Sequence, residues 1–75
     1  MDKVWLLELL DEELETFATE EKCFNAATLF LINHCNNSED LIVYMKELEE
    51  THNDERKEGF WVNNFLYGHP VKFNA

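Results

Sequence analysis

Four carboxylates near the start of the chain, Glu8, Asp11, Glu12 and Glu15, fall at i, i+3, i+4 and i+7. On a helix that spacing makes one continuous acidic stripe. Like charges so placed repel, and an isolated helix would be better without them. Most charge runs are solvated faces. The sharper reading is a surface matched to Lys and Arg on a partner, because little opposite charge on the stripe relieves the repulsion. Carboxylates recurring at roughly 5–6 Å along a helix can also stand in for successive phosphates, which makes a DNA mimic the finer version. Asp40, Glu47, Asp54 and Glu58 form a second stripe only if a third helix runs unbroken. Trp5 and Leu9, at i and i+4, lie on the far side of the first stripe from the main apolar face. Either another helix buries them, or a Trp rimmed by carboxylates forms an interface hot spot. Trp61, Val62, Phe65 and Leu66 make a second aromatic-rich face, read as packing.

Other chemistry is poorly supplied. His34, His52 and His69 are scattered, and no Ser or Cys stands near one in a recognisable nucleophile signature. Cys23, His34, Cys35 and His52 lack paired metal-ligand spacing, so no metal site is expected. There is no dense acidic calcium loop and no glycine-rich phosphate loop. The six Lys and Arg are isolated or surrounded by acids, so direct nucleic-acid binding is not expected. The expectation is a protein that is not an enzyme and needs no cofactor.

The carboxylates belong to a chain of 75 residues with 16 Asp and Glu, 6 Lys and Arg, and a formal net charge of -10. With 45% hydrophobic and 13% aromatic residues, this is no disordered acidic tail. A core can form inside a negative field that repels nucleic acid and anionic membranes and attracts basic proteins. No secretory signal is visible, and the longest apolar run, Ala26 to Ile32, is far short of a membrane span. Cys23 and Cys35 on one helix would sit roughly 18 Å apart along its axis, too far for a disulfide. These features point to a reduced, cytoplasmic protein without membrane contact.

Only two glycines and one proline argue against a β-rich fold. Leu6, Leu7, Leu10, Leu14 and Phe17 recur at helical spacing, predicting a first helix over 3–17. Thr19 as N-cap, with Glu20 and Glu21 in the first turn, opens a second over 19–34. That helix is apolar nearly all round, which predicts the buried centre of a bundle, with Ala26, Ala27, Phe30 and Leu31 deep inside. Phe30→Ala would then cost on the order of 3–5 kcal/mol. Ser38 with Glu39 and Asp40 opens a third helix over 38–52. A fourth over 54–67 would end at Gly68 and Pro70, followed by a short extended tail packing through Val71 and Phe73.

The expected fold is therefore a single all-α domain over 1–75, a small three- to four-helix bundle. The competing reading, a small α+β fold, makes strands of Leu41 to Tyr44 and of the last dozen residues. For function, composition predicts a small acidic protein that binds and blocks a basic, nucleic-acid-handling host or defence protein. Its residues would be Glu8, Asp11, Glu12, Glu15, Trp5 and Leu9, in the manner of a phage protein acting in the host cytoplasm. The alternative is an assembly subunit that forms a homodimer through Trp5 or Trp61.

Overall fold

The computed structural model describes residues 3–10, 12–54, 56 and 58–72. The elements run β1 (Lys3–Leu9), β2 (Glu12–Phe17), α1 (Glu20–His34), α2 (Ser38–His52), β3 (Phe60–Val62) and β4 (Leu66–Lys72). All strand pairs are antiparallel, in the order β2-β1-β4-β3. This is an α+β fold, and the all-α bundle is incorrect. Two helices lie at 20–34 and 38–52. The segments expected to be helices at 3–17 and 54–67 instead supply the β1–β2 hairpin and, in the second, β3 with the first two residues of β4.

The first correction has a physical cause. Leu6, Leu7, Leu10, Leu14 and Phe17 fit a helical period, but β1 is a central strand and carries apolar residues on both faces. Leu7 sits in the core while its neighbour Leu6 is buried on the opposite side. With apolar side chains on the helix-covered face and on the open face alike, the strand reads as a continuous apolar run rather than an alternation. The turn is hidden as well, because Leu10 takes a positive φ of 50° without a glycine to announce it. Leu10 N–H donates to Phe65 O at 2.8 Å, which ties this turn to the one between β3 and β4. A bulge between Leu7 and Glu8 in the β1–β2 register then shifts the partner from Glu15 to Glu13, leaving Leu14 over.

The second correction concerns Gly68. It does not cap a helix; it pairs with both Leu7 and Phe60 inside the sheet. The α+β alternative places the C-terminal strand correctly, but Leu41 to Tyr44 are helical in α2. Asn37, not Ser38, caps that helix, its Oδ1 accepting from Glu39 N at 2.8 Å and Asp40 N at 3.4 Å. Thr19 caps α1 as expected, accepting from Lys22 N. Of the expected tail, His69 to Lys72 belong to β4, and Phe73 lies outside the described residues.

Both helices cover one face of the sheet. Leu7, Phe60, Val62 and Leu66 from the strands meet Cys23, Ala27, Leu31 and Leu48 from the helices in one core. Ala27 and Leu31 are buried as expected, but Ala26 and Phe30 are only half-buried, because α1 lies on a sheet rather than inside a bundle. The helices run antiparallel. Glu20 at the start of α1 reaches His52 at the end of α2 at 2.5 Å, and Phe24 stacks on that imidazole.

At the sheet's outer edge, Thr51 joins α2 to β3. Its hydroxyl accepts from Trp61 N at 2.9 Å and lies within donating distance of Trp61 O and Leu48 O. That covers the outward backbone groups of an edge strand, which would otherwise recruit another chain.

A Cβ added at Gly68 would meet the Phe60 ring at 2.3–3.0 Å, closer than real contacts allow. Gly68→Ala should therefore cost about 1–3 kcal/mol or more by overpacking, much of the stability of so small a domain. Phe60→Ala removes the ring and should cost about 3–5 kcal/mol. Phe30→Ala should cost clearly less than Phe60→Ala, in contrast to the estimate from the bundle. Urea unfolding followed by circular dichroism gives the order.

Candidate functional site

The fold distributes the residues of the expected acidic site over both faces of the sheet. Trp5 is half-buried on the helix side, parallel to the Phe60 ring at 6.3 Å between centroids. Leu9 is half-buried on the same side against the core. Glu8 projects from the opposite face, its Oε1 2.5 Å from His69 Nε2, with the Tyr67 ring stacked on that imidazole. Glu12 and Glu15 are exposed on the edge strand β2, opposite Leu9 and Leu7. Asp11 lies outside the described residues. The helical spacing that joined these carboxylates into a stripe is replaced by a hairpin, in which Glu8 stands opposite Glu13.

Neither histidine–cysteine chemistry nor a metal centre emerges. His34 Nδ1 donates to Phe30 O at 3.0 Å, and the Cys35 thiol donates to Asn37 O at 3.4 Å, so each neighbour is tied to backbone. Among the described residues no His, Cys, Asp and Glu side chains gather as a metal-binding group. No described helix is long and apolar enough to cross a membrane.

Two features at one end of the helical layer stand out instead, both beside the Cys35–Asn37 connection. The first faces away from the sheet. Leu29 and Ile32 near the end of α1 are 59% and 51% exposed, and Ile42 and Val43 near the start of α2 are 68% and 62% exposed. The second lies on the inner side, where the connection meets the β3–β4 turn. A cavity of about 310 Å³ opens there, walled by Phe30, Tyr44 and Phe65, with His34 and Asp40 at its polar side.

Sequence reasoning passed over both features, although a signal exists. From Cys23 to Ser38 the chain has no Asp, Glu, Lys or Arg, while 29% of the whole is charged. The helical part of that stretch, to His34, reads as the centre of a bundle, whereas a helix lying on a sheet must turn part of it outward.

The sheet's open face carries Val4, Leu6, Glu8, His69 and Val71, and its side chains largely cover one another. Leu6 is only 6% exposed there. No family model, curated protein or solved structure matches the chain.

Cys23 and Cys35 are both free. Burial, with a smaller contribution from the Glu20 charge, pushes the Cys23 thiol up to about 11 from 9.0. Its ionisation is disfavoured in the fold, so its contribution to stability is complete below pH 9 and declines as pH rises toward 11. Native alkylation at neutral pH should label Cys35 readily and Cys23 only after unfolding, as mass spectrometry of the digested protein would show. Cys23→Ala should remove its share of the alkaline loss of stability seen by thermal melting.

Proposed function

We propose that this protein is an assembly subunit that associates with a second copy of itself through the outer face of its helical layer. The observation that carries this reading is the set of four exposed aliphatic side chains, Leu29, Ile32, Ile42 and Val43. Single exposed apolar residues are ordinary, but four of them beside one helix connection resemble the apolar centre of an interface.

Charge argues for the second copy as occupant. Two chains of -10 repel one another over most of their surfaces. The outer face of α1 between Asn25 and Asn36 holds no formal charge, so two copies can meet there with the carboxylates left at the rim. Depletion of charge at the centre is the compositional mark of protein interfaces. The sheet edges are unsuited to the task. Edge strand β2 carries Glu12, Glu13, Glu15 and a bulge, and β3 is short and covered by Thr51.

A basic partner is the second reading. The exposed Glu12, Glu13 and Glu15 favour it, since they offer a cluster of carboxylates on one strand. Blocking a basic host or defence protein, or imitating DNA toward it, would use that hairpin rather than the helical layer.

Salt separates the two. Sedimentation velocity over a range of concentrations should show a monomer–dimer equilibrium that strengthens with added salt, because screening removes the repulsion between acidic copies. Binding to a basic protein would weaken under the same change. The double variant Ile32→Lys, Ile42→Lys should shift the equilibrium to monomer by at least about tenfold in Kd, with little change in monomer stability. It also lowers the net charge from -10 to -8, which by itself would favour association. Loss of the dimer would therefore isolate the apolar contact. A wild-type chain that stays monomeric at all concentrations and salts would remove this reading.

A further inference from the structure

We propose that the cavity between the helix connection and the β3–β4 turn binds an organic cation, a quaternary ammonium or the ammonium or guanidinium head of a Lys or Arg side chain. Tyr44 and Phe65 form two walls of a corner, with ring centroids 5.3 Å apart and planes at 79°. Phe30 adds a third ring. Tyr44 and Phe65 meet edge to face and the His34 imidazole covers one face of Phe30 at 4.2 Å between centroids, so the ring surface left along the space of about 310 Å³ is what a cation would contact.

The polar lining of the cavity consists of Asp40 with His34, Cys35, Asn36 and Asn37, and the one formally charged side chain among them is the Asp40 carboxylate. Asp40 lines it, and among the described residues its carboxylate has neither a hydrogen bond nor an ion pair; only its backbone N–H is used, on Asn37 Oδ1. His34 Nδ1 is engaged with the Phe30 carbonyl at 3.0 Å, which orients the imidazole at the cavity. Among the described residues no Lys or Arg lines the cavity, and the chain's net charge of -10 draws cations toward it.

An anion would meet a carboxylate here. A neutral apolar group would gain nothing from that exposed carboxylate. A cation satisfies both the rings and Asp40.

The site is separate from the proposed self-association surface. Phe30 and Tyr44 pack toward the core, whereas Leu29, Ile32, Ile42 and Val43 point away from the sheet. Cation binding and dimer formation can therefore fail independently.

The test is an amide NMR titration of the full chain at low ionic strength. The probes are choline, its neutral isostere 3,3-dimethylbutan-1-ol, and blocked lysine and arginine amides. Choline or the blocked amino acids should shift the amides of Asp40, Tyr44 and Phe65, and the neutral isostere should not. A response to choline alone assigns a small quaternary ammonium, and a response to blocked lysine or arginine assigns a protein side chain.

Asp40→Asn keeps the backbone bond to the cap and should weaken binding about tenfold while the spectrum stays folded. Phe65→Leu should weaken it by a similar factor, and Tyr44→Phe, which keeps the ring, should not. The proposal is overturned by an equal response to the neutral isostere, by unchanged affinity in Asp40→Asn, or by no response to any of the cations at millimolar concentration.

Discussion

The Phe60 ring lies directly over Gly68, and most of the fold hangs on that contact. Any side chain on Gly68 would push the ring away. With glycine there, the ring settles onto β4 and is fully buried at the junction of sheet and helices. Trp5 lies parallel to it from β1, while Phe24 from α1 and His52 from α2 meet it edge-on. One residue on a three-residue edge strand thus gathers two helices and the central strand. Glu20 then holds His52 against Phe24, fixing the open ends of the helix pair. In so small a domain an aromatic cluster of this kind supplies area that a larger protein would spread over many aliphatic residues.

The acidic charge is placed where it does least harm to that core. Glu20 and Glu21, and Glu39 and Asp40, occupy the first turns of the two helices, where the dipoles favour them. Glu8 is joined to His69, Glu20 to His52, and Glu47 accepts the Asn63 N–H. Glu12, Glu13 and Glu15 sit on an exposed edge, where charge discourages pairing with another strand. A negative exterior is therefore compatible with a stable fold, and it does not by itself specify a target.

How much could be read from the sequence depended on whether the local signals agreed with the tertiary environment. Thr19 with Glu20 and Glu21, and the break at Asn36 and Asn37, are local chemistry, and the two helices begin and end where that chemistry places them. The strands were hidden because their signals come from elsewhere. β1 carries Leu6 on the open face as well as Leu7 in the core, which hides its alternation, and Leu10 adopts a positive φ without glycine while the Phe65 carbonyl holds its amide. Gly68 carries the same letter as a helix terminator, and its role is legible only once Phe60 is known to lie above it. The acidic residues were correctly seen as unusual. Their grouping on one surface was a consequence of the assumed helix, and their positions follow the hairpin instead.

The exposed aliphatic patch on the helical layer has no account within the monomer. Leu29, Ile32, Ile42 and Val43 stand in water, where polar residues would serve the helices equally well and solubility better. In the proposed dimer a second copy related by a two-fold axis would supply the missing cover, because such an axis places the same patch against itself. The uncharged outer face of α1 would then meet its copy, with Lys46, Glu47 and Glu50 bordering Ile42 and Val43, and the acidic hairpins would remain apart. A head-to-tail arrangement would instead press the carboxylates of one copy's β2 onto the apolar patch of the next, burying charge without a counter-ion. It would also leave a free patch at each end and continue into a filament. If the chain pairs as proposed, the distribution of charge over this fold favours a closed pair over an open chain.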